Sequence, residues 1–127
     1  MTSSSETGRS FSLIYQPTGI AVARVVRLDG WWAKGRGVIG LPSLAPGEGI
    51  WLPGVAAVHT FFVGFPLDLL FLDRDLRLRR AVESVPPWCP LVRAGHSRHT
   101  IELGAGTLAQ KAPGARPGDS WLLERSQ

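Results

Sequence analysis

Cysteine is scarce in this sequence. Only Cys89 occurs among the 127 residues, so an internal disulfide is excluded and nothing in the chain requires an oxidising compartment. The first ten residues are polar and lack the basic and apolar regions of a secretory signal. Together these absences predict a cytoplasmic protein.

A long uninterrupted hydrophobic run is also lacking. Residues 50–72 could cross a bilayer by length, but four residues that break regular structure interrupt them: Pro53, Gly54, Gly64 and Pro66. A membrane helix would also place the Asp68 carboxylate in or near hydrocarbon, at a cost of about 3 kcal/mol. The run therefore predicts short buried strands and no membrane span.

Glycine and proline are abundant, with 15 and 10 copies, and they divide the chain into short elements. We expect about eight short strands, at residues 11–16, 20–28, 49–52, 55–63, 67–72, 76–85, 99–103 and 120–124. Short helices are expected at residues 31–39 and 104–111. This pattern predicts a mostly β fold, a β-sandwich or barrel with one or two short helices.

No repeat or second domain is visible. The chain is expected to be one β domain over residues 11–124, with a flexible tail at residues 1–10 and a short tail at residues 125–127. Residues 67–72 are nearly all apolar, which is typical of a strand covered on both faces. Residues 76–85 alternate, which predicts a strand with one solvated face.

Several ordered motifs resemble the domain-of-unknown-function 192 family. Residues 47–83 contain, in the order found in that family, a GEG loop, His-Thr-Phe, Pro-Leu-Asp and Phe-Leu-Asp. Residues 36–40 (RGVIG) are similar to its RGLxG element, residues 99–106 (HTIELGAG) to its YVLELPAG element, and residues 117–119 to its PGD. The resemblance covers about residues 11–124.

The resemblance implies a compact jelly-roll-like β fold and no established activity. Some members of the family are encoded among secretion or pilus genes, which is an association only. Two positions depart from the family pattern. Val63-Gly64 replaces a Met followed by a cation, and Leu76 stands where a Gly commonly follows Asp75.

Three ionisable residues, His59, Asp68 and Glu102, match polar positions of the family motifs and lie in otherwise apolar strands. One interpretation is a shared pocket of a hydrolase, lyase or small-ligand-binding protein, with His59 as acid or base, Asp68 or Glu102 orienting it, and Arg36 as an anion anchor. The other is a structural network in which Asp68 accepts backbone N–H bonds and pairs with His59 or Arg36. The second is favoured, because no nucleophile motif accompanies the candidate base.

Cys89, His96 and His99 lie close together in the sequence, but their spacing matches no familiar zinc pattern. We therefore expect no metal site and no cofactor. A histidine on the surface and a small buried thiol are the simpler interpretation.

Basic residues outnumber acidic ones by 14 to 10, and many arginines follow residue 73. Arg74, Arg77, Arg79, Arg80, Arg93 and Arg98 could form one surface for nucleic acid or for an anionic protein. Arg77 and Arg79 also suit a solvated strand face, and no aromatic residue is interleaved as a stacking platform. Nucleic acid is therefore only an alternative partner.

Five tryptophans are many for this length. Trp51 and Trp121 lie in predicted strands and are expected in the core, whereas Trp31, Trp32 and Trp88 are candidates for an interface. The leading hypothesis is a non-enzymatic binding or accessory module. In it, Trp31, Trp32 and Trp88, with Arg77 and Arg79, contact a protein partner.

Overall fold

The computed structural model describes residues 9–126. Residues 1–8 and residue 127, which belong to the predicted tails, lie outside it. Within that range the chain forms nine strands and two short helices. In chain order they are β1 (Ser10–Tyr15), β2 (Ile20–Arg27), α1 (Trp31–Arg36), β3 (Glu48–Pro53), β4 (Ala57–Val58), β5 (Leu67–Leu72), β6 (Leu78–Val85), β7 (Val92–Arg93), β8 (His99–Gly104), α2 (Thr107–Lys111) and β9 (Trp121–Arg125).

Seven strands form one sheet in the order β6-β5-β8-β3-β2-β1-β9, and β4 pairs with β7 in a small ribbon. All neighbours are antiparallel except β2 and β3. Arg77, the residue before β6, and Ser120, the residue before β9, form an isolated bridge, which links the two edges of the sheet. The sheet is thus curled into a half-barrel, which makes the domain mostly β as predicted; the jelly-roll or sandwich arrangement stays a prediction.

The sheet carries a hydrophobic core on each face. The inner core lies in the concave face beneath α2 and contains Trp51, Trp121, Leu70, Ile101 and Leu108, among others. The outer core lies on the opposite face of β3 and β5, beneath the long connections, and contains Ile50, Leu52, Leu69, Phe71 and Val38. All six residues of β5 are buried, which confirms that this strand is covered on both faces.

The expected strand at residues 55–63 is wrong over most of its length. Only Ala57–Val58 is extended, and it pairs with β7 and not with the main sheet. Beyond it, the Thr60 backbone N–H donates to the Cys89 carbonyl and Phe62 adopts a φ of +64°, which turns the chain. The conformation of this segment is determined by contacts with a loop that is distant in the sequence. A local sequence pattern does not contain such contacts.

The expected alternation over residues 76–85 is also broken. Strand β6 begins at Leu78, and its register with β5 is irregular at two places. One leaves Arg79 and Arg80 both exposed, and the other leaves Glu83 and Ser84 both exposed. Leu76 lies in the preceding turn with a φ of +62°, which explains why glycine suits this position.

The other expected elements agree with the structure to within a few residues. The hairpin of β1 and β2 is confirmed, and the two helices are shorter than expected. Ser10 and Arg125, which the sequence analysis assigned to tails, lie in β1 and β9. In the chain from residue 9 to residue 126, no helix has the length and apolar character needed to cross a membrane.

Candidate functional site

A cavity of about 320 Å³ lies on the outer face of β8, between α1 with its following turn and residues 55–63. We call it the Glu102 cavity. Glu102 reaches it because Ile101 and Leu103 of the same strand face the inner core, so the side chain between them faces outward. Lys34, Arg36 and His59 also line it, and most of the remaining wall is apolar.

Glu102 is the acidic residue of this cavity, and it is 4% exposed. Its Oε1 atom is buried without a hydrogen-bond partner. Burial raises the pKa of the carboxyl from 4.5 to about 7, and the opposing effect of the Val38 backbone N–H is smaller. The carboxyl therefore changes charge near neutral pH and has unused capacity to accept a hydrogen bond.

The RGVIG element forms the cavity wall next to this carboxyl. Gly37 has a φ of +53°, and a Cβ atom there would lie 3.1 Å from Glu102 Oε1. A Cβ atom at Gly40 would lie 2.9 Å from the Arg36 guanidinium. Both glycines are therefore required for close packing, and Gly37 in particular allows the turn to approach Glu102.

The cations of the cavity are held by backbone carbonyls. Arg36 Nε donates to the Ile39 carbonyl at 3.2 Å, and Lys34 Nζ donates to the Pro53 carbonyl at 2.8 Å. The ion pairs found within residues 9–126 both involve Asp29, so neither cation has a carboxylate within 4.0 Å. Sequence analysis missed Lys34, and only its proximity to the Gly35-Arg36-Gly37 turn could have indicated it.

His59 lies at the exposed side of the cavity. Its Nδ1 atom accepts a hydrogen bond from the Phe61 backbone N–H at 3.2 Å, which leaves Nε2 as the nitrogen that a ligand could contact. Its ring lies 5.3 Å from the Phe61 ring, between centroids. His59, Arg36 and Glu102, which the sequence analysis grouped, thus line one cavity.

Asp68, the fourth residue of that group, is not in the cavity. It is fully buried and faces the inner core, where Oδ1 accepts from the Ser84 N–H at 2.9 Å and Oδ2 from the Leu108 N–H at 3.0 Å. The carboxylate thus joins β5 to a bulge of β6 and to the first turn of α2. The backbone N–H bonds match one part of the structural interpretation, but the expected pairing of Asp68 with His59 or Arg36 is wrong, because those two residues line the cavity on the opposite face of the sheet.

Exposed aromatic side chains flank the cavity on two sides. Trp31 and Trp32 of α1 are 82% and 70% exposed and pack edge to face, and Trp31 lines the cavity. On the other side, Trp88 is 59% exposed and its ring lies 4.9 Å from that of Phe62. Trp51 and Trp121 are buried, as expected.

Thr60 holds the second aromatic pair in place. Its hydroxyl donates to the Pro86 carbonyl at 2.6 Å and accepts from the Cys89 N–H at 2.7 Å. Phe62 and Trp88 both have positive φ angles, which are rare for bulky residues. Sequence analysis did not identify Phe62, because the backbone angle that exposes it depends on this distant contact.

The arginines after residue 73 are exposed. Arg80 donates to the Arg93 carbonyl at 2.7 Å and Arg79 to the Gly95 carbonyl, at 3.4 Å, so the edge strand β6 packs against the loop after β7. Arg77 lies in the bridge that joins the sheet edges. In the described chain, the arginines that stack on aromatic rings are Arg27 and Arg125, which lie elsewhere.

The residues considered for a metal site have separate surroundings. His99 Nδ1 accepts the Trp51 indole N–H at 3.1 Å, and burial is the main cause that lowers the pKa of His99. Cys89 packs against the outer core, whereas His96 is exposed. Over the residues that can be described, no group of three potential ligands could hold a metal ion.

The Val63-Gly64 departure from the family pattern begins at the cavity wall, whereas Leu76 lies outside it. Val63 is buried in its wall, and the neighbouring Gly64 is exposed, with no heavy atom within 4 Å of the position that a Cβ atom would occupy. A cationic side chain at Gly64 would therefore meet no steric barrier. The cavity of this chain lacks that cation, so Lys34 and Arg36 supply its positive charge.

Comparison with known proteins adds a family and a fold. The sequence profile of the domain-of-unknown-function 192 family, described as "Uncharacterized ACR", matches residues 16–120. No curated protein matches the sequence. A solved structure from Sinorhizobium meliloti, titled "a putative transcription regulator", is 22% identical with a TM-score of 0.76, covering 91% of this chain and 92% of that chain.

A second solved structure, a protein of unknown function from Novosphingobium aromaticivorans, is 19% identical with a TM-score of 0.70. The alignment covers 89% of this chain and 83% of that chain. At these identities the two structures show a shared fold alone. The family profile spans most of the sequence, including the motifs that form the cavity, and the chain therefore belongs to the domain-of-unknown-function 192 family.

Proposed function

We propose that this domain is a binding protein whose Glu102 cavity holds a small ligand. The observation that carries the proposal is the buried Glu102 carboxyl, whose Oε1 atom has no hydrogen-bond partner. A buried acceptor without a donor is costly, and a ligand with an N–H or O–H group would supply the donor. The cavity volume of about 320 Å³ is at the lower end of the range for small-molecule sites.

Binding is favoured over catalysis by what lines the cavity. His59, Lys34 and Glu102 are its titratable groups besides Arg36, and no Ser, Thr or Cys is among the lining residues found in the described chain. Asp68 cannot orient His59, because both of its oxygens accept N–H bonds on the other face of the sheet. Within this lining, His59 therefore has no hydroxyl or thiol to activate and no Asp68 carboxylate to orient it, which disfavours catalysis of the Ser–His or Cys–His type.

The proposal is tested by screening a library of small polar fragments against the 15N-labelled protein. A ligand of the cavity is expected to shift the amide signals of Gly37 and Val38 and the indole signal of Trp31. Val58→Trp, which fills the cavity, should abolish these shifts, whereas Ile20→Trp at an exposed site on β2 should preserve them. Fragments that shift neither amide, or that bind equally well to Val58→Trp, would refute the proposal.

A second candidate function is supported by the exposed aromatics on both sides of the cavity. Trp31, Trp32, Phe62 and Trp88 are all more than half exposed, and two of them are held at unfavourable φ angles. Exposed aromatic anchors are typical of protein interfaces. Arg93 pairs with Ala57 of the cavity wall, and Arg80 donates to the Arg93 carbonyl, so two exposed arginines make the neighbouring surface basic. The candidate partner is therefore a protein segment with apolar and acidic side chains, in the cytoplasm.

This second function is tested by selecting binders from a random peptide library. The selected peptides should be enriched in acidic and apolar residues, and Trp31→Ser and Trp88→Ser should each weaken their binding about tenfold. Ile20→Ser, which removes an exposed apolar side chain from β2, is the matched control and should bind normally. Selection of basic or neutral peptides, or binding unaffected by both tryptophan variants, would exclude this partner.

A further inference from the structure

The Glu102 cavity has opposite charges in different parts of its wall. Glu102 is its acid, and Lys34 and Arg36 are cations on the α1 side. Burial raises the pKa of Glu102, and the ion pairs found within residues 9–126 include neither Glu102 nor these cations, so neither cation lies within 4.0 Å of the carboxylate. The acid and the cations line the same cavity of about 320 Å³.

Within residues 9–126, neither Glu102 nor Arg36 has a side chain of opposite charge within 4.0 Å. The Glu102 carboxyl is approached by one backbone donor, Val38 N–H, and Oε1 is unsatisfied. Arg36 uses Nε for the Ile39 carbonyl, and its hydrogen bonds in the described chain involve neither terminal nitrogen. Those two nitrogens form the fork with which arginine binds a carboxylate.

Most of the remaining wall of the cavity is apolar. Val38 and Val63 are buried there, and Trp31, Ile39, Val55 and Val58 complete it. Such a wall favours a ligand with a hydrocarbon or aromatic part between or beside its charged groups. A simple anion would face the Glu102 carboxyl, and a simple cation would leave Arg36 unused and would be repelled by it.

We propose that the cavity binds a small zwitterion of the amino-acid type, with its ammonium group on the Glu102 carboxylate and its carboxylate on Arg36. This inference rests on the proposed function and specifies its ligand class. The ammonium supplies N–H donors to Glu102 Oε1, which has none, and a positive charge to the carboxylate, and the guanidinium supplies two parallel donors to the carboxylate of the ligand. The side chain of the ligand contacts the apolar wall.

The test uses matched sets of compounds at pH 8, where Glu102 is mostly ionised because burial raises its pKa only to about 7. Each of the standard amino acids with an apolar side chain is compared with its decarboxylated amine and its deaminated acid; leucine, 3-methylbutylamine and 4-methylpentanoate form one set. Binding is measured from the Gly37, Val38 and Trp31 signals. At least one amino acid is expected to bind tenfold or more tightly than both of its matched compounds.

Two variants assign the charged ends. Glu102→Gln should weaken amino-acid binding tenfold or more and leave binding of the matched acid unchanged or improved. Arg36→Gln should weaken binding of the amino acid and of the acid, but not of the amine. Arg74→Gln, at an exposed position in the turn before β6, is the control and should change nothing.

The outcomes separate this inference from the proposed function. If the amine or the acid binds as tightly as the amino acid, or if only unrelated fragments bind in the cavity, the ligand class is wrong and the proposed function stands. If neither these compounds nor any fragment shifts the Gly37 and Val38 amides, both fail. Amino-acid binding that persists in Val58→Trp would place the site elsewhere and would also overturn the inference.

Discussion

Gly37 lets the turn after α1 contact the Glu102 carboxyl. Its backbone has a φ of +53° and a ψ of −124°, a combination that L side chains rarely adopt, and a Cβ atom would meet Oε1 at 3.1 Å. Gly37→Ala is therefore expected to lower the free energy of unfolding by about 1–3 kcal/mol, as measured by urea denaturation.

Gly35→Ala is the matched control for this prediction. Gly35 lies within α1, its φ is not positive and no heavy atom lies within 4 Å of a Cβ position. Alanine should therefore leave stability unchanged or raise it by about 0.5–1 kcal/mol. Equal losses in the two variants would show that the α1 turn does not require Gly37 specifically.

Backbone conformation at single residues was the least predictable property. Between residues 9 and 126, five residues other than glycine have positive φ angles, and Phe62, Leu76 and Trp88 are among them. Only Leu76 could be anticipated, because the family pattern has glycine there. At Phe62 and Trp88 the conformation is stabilised by Thr60, whose contacts with residues 86–89 are invisible in a local sequence window.

Among the elements, β5 depends on Asp68 for its connections to β6 and α2. Asp68→Ala would leave the Ser84 and Leu108 N–H groups without their carboxylate acceptor in the protein interior. Hydrogen bonds to charged groups contribute about 1.5–3 kcal/mol each, so a loss of about 3 kcal/mol or more is expected in urea denaturation. Proteolysis around residue 108 should also become faster.

Asp75→Ala is the matched control for Asp68→Ala. Asp75 is exposed, and its carboxylate accepts no hydrogen bond within the described chain, so the change should be within about 0.5 kcal/mol. A loss below about 1 kcal/mol for Asp68→Ala would contradict the structural role and would reopen the question of why a carboxylate is buried there.

The elements that local patterns predicted well are those whose burial is visible in their own residues. Strand β5 is apolar except for Asp68 and was located to the residue, and the hairpin of β1 and β2 follows from a turn signal between two strand-forming runs. The strand prediction for residues 55–63 was wrong because their apolar side chains contact connecting segments and not a neighbouring strand of the main sheet.

At the scale of the whole molecule, the curled sheet creates the cavity. Its wall combines the RGVIG turn, residues 55–63 and Glu102. Arg36, at the start of that turn, and Glu102 are 66 positions apart in the sequence. The polar residues could be selected from the sequence, because each is costly in an apolar strand. Which of these residues share a site could not be predicted from the sequence, because Asp68 and Glu102 lie on adjacent strands but face opposite sides of the sheet.

Two buried groups give the folded molecule opposing responses to pH. The pKa of His99 is lowered from 6.5, so its contribution to stability is present above pH 6.5 and is lost as the pH falls toward the folded-state pKa. The pKa of Glu102 is raised to about 7 from 4.5, so its protonated form favours folding, and that contribution is lost as the pH rises from 4.5 through 7.

Glu102→Gln isolates the second response, because glutamine keeps the shape of the protonated acid and cannot ionise. Relative to wild type, the variant should gain about 3 kcal/mol in free energy of unfolding between pH 4.5 and pH 8, since one pKa unit corresponds to about 1.4 kcal/mol. Denaturation with urea at closely spaced pH values measures the difference between the two curves.

Glu83→Gln, at an exposed position on β6, should follow the wild-type curve throughout and serves as the control. Parallel curves for wild type and Glu102→Gln would mean that the carboxyl is solvated. A solvated carboxyl needs no donor from a ligand, so this result would count against the proposed binding site. Diverging curves would show that the domain retains at neutral pH a carboxylate that destabilises its own fold. Such a cost is expected where a charged group is kept for binding and not for stability.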